Sequence, residues 1–226
     1  MGMVAEFEQI TSQQLETFLE NPREAYDYIL SELYDNPKMT EHMRVMLAGL
    51  REHAKSDKLP QLAKDQFVHT LAKLEAQVER QTGLRLVKSQ SGDPQPPPRK
   101  KFSLEKNWHV LHYALNGTAE GGKGFLADAV MGGAQIPDVD GVMGYGPLRY
   151  FRSQHVKAIV RALEEIDPGT LLSKLDYADA QGKKIYLAHT LDNLNDWSYL
   201  PDLFKDFRAF YTDAEQSGNA MLLWIT

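Results

Sequence analysis

The stretch LPDLFKDFRAFYTDAEQSGNAMLLWIT, residues 200–226, reads as a helix followed by a strand. Leu200, Leu203, Phe204, Phe207, Phe210, Tyr211 and Ala214 recur at steps of three and four, the spacing that lines side chains up on one helix face. Gly218 stops that helix, because glycine accepts the left-handed conformation that closes a last turn. The run AMLLWIT, residues 220–226, is nearly continuous in apolar residues and has no room to be a helix, so it predicts a buried strand.

At the other end of the chain, MGMVAEFEQI places Val4, Phe7 and Ile10 in a short first strand. Pairing of the last strand with the first would bury both chain ends in one sheet. With mostly helical patterns between them, the expected class is α+β: a helix-rich single domain over residues 1–226 around a small sheet.

The intervening helices carry their own start and stop signals. Thr11 and Gln14 form a capping box ahead of Leu15, Phe18 and Leu19. Asn21, Pro22 and Glu24 open a second helix with the stripe Tyr26, Ile29, Leu30 and Leu33. Two longer patterns follow across a break at Lys58, Leu59 and Pro60: Met39, Met43, Met46, Leu47 and Leu50, then Phe67, Leu71, Leu74 and Val78. They predict an antiparallel helical hairpin ended by Gly83. SQSGDPQPPPRKK, residues 89–101, reads as a stiff proline-rich linker whose Arg99, Lys100 and Lys101 are solvated. Residues 37–101 are therefore read as an insertion within the domain.

Beyond it, Ser103 is taken as the cap of a helix carrying Trp108, Leu111 and Leu115, with Asn116 and Gly117 as its stop. A short helix over 125–131 ends at Gly132 and Gly133. Residues 142–151 read as extended chain interrupted by a turn at 144–147. Ser153 is taken as the cap of an amphipathic helix with Val156, Ile159, Val160, Leu163 and Ile166, and Asp167 with Pro168 opens a further short helix.

Composition bounds the chemistry. The 226 residues are 42% apolar and 25% charged, as in an ordinary globular protein. No run approaches the roughly 18 apolar residues that span a bilayer, so no membrane partner is expected. The N-terminus lacks the basic and apolar regions of a secretory signal. Zero cysteines exclude disulfides, thiolate zinc sites, iron–sulfur clusters and cysteine nucleophiles, and the expected compartment is the cytoplasm. A net charge of −6 argues against nucleic acid as partner.

The chemically interesting side chains concentrate between residues 104 and 151. His109 and His112, three apart on one helix, could share a metal, but no third ligand completes a pattern; Asp128, Asp138, Asp140 and His155 are all conceivable. The loop GTAEGGKG, residues 117–124, approaches the phosphate-loop pattern, yet Gly124 stands where a hydroxyl must hold magnesium and the loop follows a helix rather than a strand. DVDG at 138–141 is only a fragment of a calcium loop. No cofactor is implied. The ligand-binding candidates are Trp108, His112, Thr118, Tyr145, Arg149 and Tyr150: aromatic walls with Arg149 placed to pair a phosphate or carboxylate. The competing view makes Gly144, Gly146 and Pro147 a tight turn and Arg149 and Tyr150 the decoration of a strand end. No serine-hydrolase elbow or paired-carboxylate pattern is present, and no catalytic residue is assigned.

MGMVAEFEQI, LEKNWHVLHYALNGT (104–118), FLADAVMGG (125–133), GYGPLRYF (144–151) and FYTDAEQSGNAMLLWIT (210–226) together make the chain resemble the YfbM-like family, a bacterial domain of unknown function. The resemblance covers almost everything outside 37–101. It implies one compact α+β domain with its first and last segments in the sheet, and it supplies no catalytic residues. The hairpin stands where the family has a short, often acidic link, which suggests a partner or oligomer contact built on adaptable methionines; internal packing is the competing account. The expected function is a non-enzymatic protein-binding module, regulatory or toxin-neutralising, acting through a protein partner or as a homo-oligomer. The alternative is binding of, or chemistry on, a nucleotide or ADP-ribose-like small molecule in the Trp108–Tyr150 region.

Overall fold

The computed structural model describes residues 3–35, 37–54, 64–65, 67–69, 71–76, 78–80, 99–137, 146–186, 188 and 197–226. Two compact units divide the chain: Met1–Glu20, Pro98–Pro137 and Met143–Thr226 form one, and Asn21–Pro97 with Asp138–Val142 the other.

The first unit is built on a five-stranded antiparallel sheet in the order β2-β1-β5-β4-β3. Its strands are β1 (Ala5–Ile10), β2 (Lys100–Glu105), β3 (Ala134–Gln135), β4 (Arg149–Phe151) and β5 (Ala220–Ile225). The chain ends do pair: Phe7 faces Leu223 in register, and Val4 and Thr226 exchange backbone hydrogen bonds at 2.8 and 2.9 Å. β5 lies between β1 and β4, and Ala220 to Trp224 are all buried, so both of its faces are covered, as its continuous apolar run requires.

Helices α6 (Ser153–Glu164) and α8 (Leu200–Gln216) cover the sheet. Val156, Ile159, Val160 and Leu163 from α6, and Phe204, Phe207, Tyr211 and Ala214 from α8, are all buried. Phe7 meets Phe207 and Tyr211 edge-on, with ring centres 5.3 and 6.2 Å apart, the arrangement that aromatic quadrupoles favour. The Tyr211 hydroxyl donates to the Ala129 carbonyl at 2.6 Å. That oxygen belongs to the last turn of α5 (Phe125–Met131), where carbonyls lack helical partners.

Several expectations are corrected here. Arg99 to Lys101 are not a solvated linker: Lys100 and Lys101 begin β2, and Arg99 grips the fully buried carboxylate of Glu8 from two nitrogens. Ser103 lies within β2 and donates to Glu6 at 2.8 Å, while α4 (Trp108–Asn116) starts after Asn107. Ser153 is the first residue of α6 rather than its cap, and Arg152 precedes it in extended conformation. Within 142–151 the described extended segment is Arg149–Phe151. Asp167 does cap, and Pro168 does open, short helical chain, as two 3-10 helices, Pro168–Thr170 and Leu172–Lys174, and α7 (Tyr177–Gly182) follows them. Thr11 does cap α1 (Ser12–Glu20), accepting from the Gln14 amide at 3.1 Å. Gly117 closes α4 at φ +70°.

The second unit contains α2 (Pro22–Asp35), α3 (Pro37–Ala54) and helical residues between 64 and 80. Leu47, Leu71 and Val78 are buried together, with Leu30 and Leu50 against them. Arg44 pairs with Glu79 at 3.2 Å and Arg51 with Glu75, so α3 and the later helical segment run antiparallel. Arg80 reaches Asp27 on α2 at 2.8 Å. Met46 and Leu74, read as stripe residues, are 47% and 38% exposed. The turn at 58–60 and most of the proline-rich segment lie outside the described residues.

Candidate functional site

Helix α4 is buried from Trp108 through Leu115, so the two site candidates it carries, Trp108 and His112, are packed in the core. Trp108 donates its indole N–H to the Met3 carbonyl at 3.2 Å and stacks on His109, with ring centres 4.8 Å apart at 6°. Tyr186 stacks on its ring as well, at 6.0 Å.

His109 uses both ring nitrogens. Nδ1 accepts from the Tyr186 amide at 2.8 Å, so Nε2 carries the proton and donates to the Ala119 carbonyl at 2.7 Å. Burial holds its pKa below the ordinary histidine value, partly offset by the Ala119 carbonyl and the charge of Glu120. Its only lone pair is therefore occupied, which leaves it unable to share a metal with His112. His112 is fully buried; its Nδ1 lies 3.4 Å from the Asn116 amide nitrogen, and the Gly121 backbone approaches the ring without forming a well-aligned hydrogen bond to Nε2. Burial, and then the neighbouring His109, lower its pKa, while the Gly121 backbone opposes them. Among the described residues no three His, Asp or Glu side chains form a metal-holding group.

Asn116 staples two helices by donating to the His112 carbonyl at 3.0 Å and to the Leu126 carbonyl at 3.1 Å. The glycine-rich loop that follows has positive φ at Gly121, Gly122 and Gly124. At Gly122 a Cβ would come within 2.7 Å of Ala127 Cβ, so the loop passes directly over α5 there. Thr118 Oγ1 is 3.7 Å from that same Cβ position; it is buried and makes no hydrogen bond.

The loop, α5 and β4 enclose a cleft of about 320 Å³. Its wall includes Glu120, Gly121, Gly122, Asp128, Gly132 and Arg149. Arg149 donates to the Gly133 carbonyl at 3.3 Å and forms no ion pair among the described residues. Asp128 Oδ2 is 2.9 Å from His155 Nε2, and both side chains are over a third exposed. His155 packs edge-on against Phe125 at 5.4 Å and tilted against Phe151 at 5.1 Å.

Of the six sequence candidates, Arg149 lines the cleft and Thr118 lies beside its glycine wall. Trp108 and His112 are buried in α4. Tyr150 is half-buried with the Arg152 guanidinium 6.0 Å from its ring centre, and Tyr145 lies outside the described residues. Besides Arg149, the cleft wall carries the charged groups Glu120 and Asp128, with His155 paired to Asp128. Sequence reasoning reached Asp128 and His155 only as third metal ligands, because their 27-residue separation carries no local signal.

A family model described as a domain of unknown function, DUF1877, matches residues 1–224. The chain belongs to this YfbM-like family. The DUF1877 match runs across 37–101 as well as the sheet and its helices. Among solved structures, the protein of unknown function YfbM from Escherichia coli shares the fold, with a TM-score of 0.54 at 17% identity over 99% of each chain. No curated protein matches the chain. No helix among the described residues is long and apolar enough to cross a membrane.

Proposed function

We propose that this DUF1877 protein is a cytoplasmic, non-enzymatic binding module that acts on a protein partner through the helical segment 37–101, read as an insertion. The observation that carries this is a groove of about 540 Å³ in the second unit, floored by Leu47, Ala48 and Val78 and rimmed by Arg44, Arg51, Glu75 and Glu79. An apolar floor rimmed by the Arg44–Glu79 and Arg51–Glu75 ion pairs suits an amphipathic helix from another chain, anchored by apolar side chains, with its own charges exchanging into those pairs. The same two helical segments also expose Val45 at 64% and Val68 at 51%. A net charge of −6 favours a basic partner over nucleic acid, in keeping with a regulatory or toxin-neutralising role.

The test compares the tagged full chain with Val45→Glu and Val68→Glu in pull-down from a cognate lysate and in light scattering for self-association. Both positions are exposed, so stability should change by only about 0.5 kcal/mol. Expected is a stoichiometric partner, or a dimer, that both variants lose. Identical profiles for all three proteins would overturn the proposal.

A second reading, small-molecule binding in the Trp108–Tyr150 region, is favoured by one observation: Arg149 lines a cleft without an ion pair among the described residues.

A further inference from the structure

The cleft beside β4 carries charges of both signs. Arg149 brings a guanidinium whose fork of five N–H donors makes one hydrogen bond among the described residues, to the Gly133 carbonyl. Glu120 brings a carboxylate with no hydrogen bond or ion pair among the described residues, and Asp128 brings a second, shared with His155. Glycines at 121, 122 and 132 keep the walls free of side chains, which lets a ligand approach backbone as well as charge. Behind the glycine loop, Thr118 Oγ1 is buried without a hydrogen-bond partner, so the polar groups of this region are not all used up within the fold.

The sign pattern selects the ligand. A simple anion on Arg149 would sit beside two carboxylates, and a simple cation on those carboxylates would face Arg149. A molecule with both charges meets each with its opposite. At about 320 Å³ the cleft is at the small end of ligand sites. We propose that it binds a small zwitterion, of which a free amino acid is the simplest, with the carboxylate on Arg149 and the ammonium at Glu120 and Asp128. This rests on the small-molecule reading above and replaces its nucleotide or ADP-ribose-like ligand with a different class.

The full chain is tested by thermal shift and calorimetry against the standard amino acids, β-alanine and 4-aminobutyrate at about 10 mM, where binding stabilises by mass action. Any zwitterion that binds is compared with its N-acetyl and methyl-ester derivatives, and AMP and ADP-ribose are run in parallel. Expected is binding by at least one zwitterion, weakened about tenfold or more by either derivative and by Arg149→Gln or Glu120→Gln, since each removes a charged hydrogen bond. The derivatives keep the test decisive if a variant fails to fold. Equal binding of the N-acetyl form would mean an anion site and overturn the proposal. Nucleotide binding without zwitterion binding would overturn it and leave the small-molecule reading standing. No response from either panel would overturn both.

Discussion

Arg99 clasps Glu8 through Nε and one terminal nitrogen, each 2.5 Å from a carboxylate oxygen, and the Glu8 side chain is fully excluded from solvent. Lys101 stands 3.8 Å from the same carboxylate. The clasp joins β1 to the residue just ahead of β2, so it anchors the returning chain to the sheet after the second unit. Removing Arg99 takes a two-pronged cationic partner away from a fully buried carboxylate. Arg99→Met should destabilise the fold by about 3 kcal/mol in urea unfolding. Glu8→Gln should cost less, because the partly exposed Arg99 and Lys101 can turn to water. Equal, negligible losses would show the clasp to be solvated.

The buried histidines give stability a pH dependence of defined sign. His109 and His112 both have pKa values held below 6.5 in the fold, chiefly by burial, so the unfolded chain binds protons that the folded chain refuses. Stability is therefore full above pH 6.5 and falls as pH drops through that value toward the folded ones. The limiting slope is about 1.4 kcal/mol per pH unit for each ring. Asp179 and Asp213, whose pKa values are lowered chiefly by hydrogen bonds from Lys183 and Lys100, lose their contribution only in the acid range below this window. Denaturation midpoints from pH 7.5 to 5 should decline, and His112→Gln should roughly halve the slope. A flat profile in the wild type would contradict neutral, buried rings.

The ends of the chain were the legible part of this fold. Hydrophobic period alone separates the α8 stripe from the β5 run, and a capping residue or glycine marks α1 and α4 where expected. β2 was hidden because three consecutive cations read as solvent-facing; Arg99 and Lys101 instead face a buried acid on β1 that is distant in sequence, and Lys100 pairs with Asp213 on α8. Ser103 misled for the reverse reason, since its hydroxyl serves Glu6 across the sheet instead of a helix terminus. In the site, Trp108 and His112 stood out because an indole N–H and an imidazole need polar partners, and stacking, the Met3 carbonyl and the Asn116 amide supply contacts for them inside the fold. The cleft pairs, Arg149 with Gly133 and Asp128 with His155, arise from tertiary contacts that no spacing encodes.

Tyr211 satisfies a helix end from across the core. Its hydroxyl lies 2.6 Å from the Ala129 carbonyl, and burial pushes its own pKa well above 10. Tyr211→Phe keeps the ring contacts with Phe7 and Phe207 and strands that carbonyl. The loss should be about 1 to 3 kcal/mol, the desolvation penalty of an unpaired buried acceptor. Unfolding by urea, with the slope of the transition unchanged, checks it; an unchanged midpoint would mean the carbonyl finds another donor.

Gly132 ends α5 for a steric reason rather than a conformational one. A Cβ there would lie 2.3 Å from Asp128 Cα, which is backbone and cannot swing aside. Gly121, in the loop opposite, has open space around its Cβ position but a φ of +64°. Alanine at Gly121 should therefore cost only the left-handed penalty, about 1 to 2 kcal/mol. At Gly132 it must displace the last turn of α5, and with it the Asp128 carboxylate that holds His155 at 2.9 Å. Gly132→Ala should lose more stability than Gly121→Ala and also shift the His155 ring resonances, whereas Gly121→Ala leaves them in place. The opposite order would mean that α5 relaxes around the methyl group and that loop conformation governs this corner of the fold.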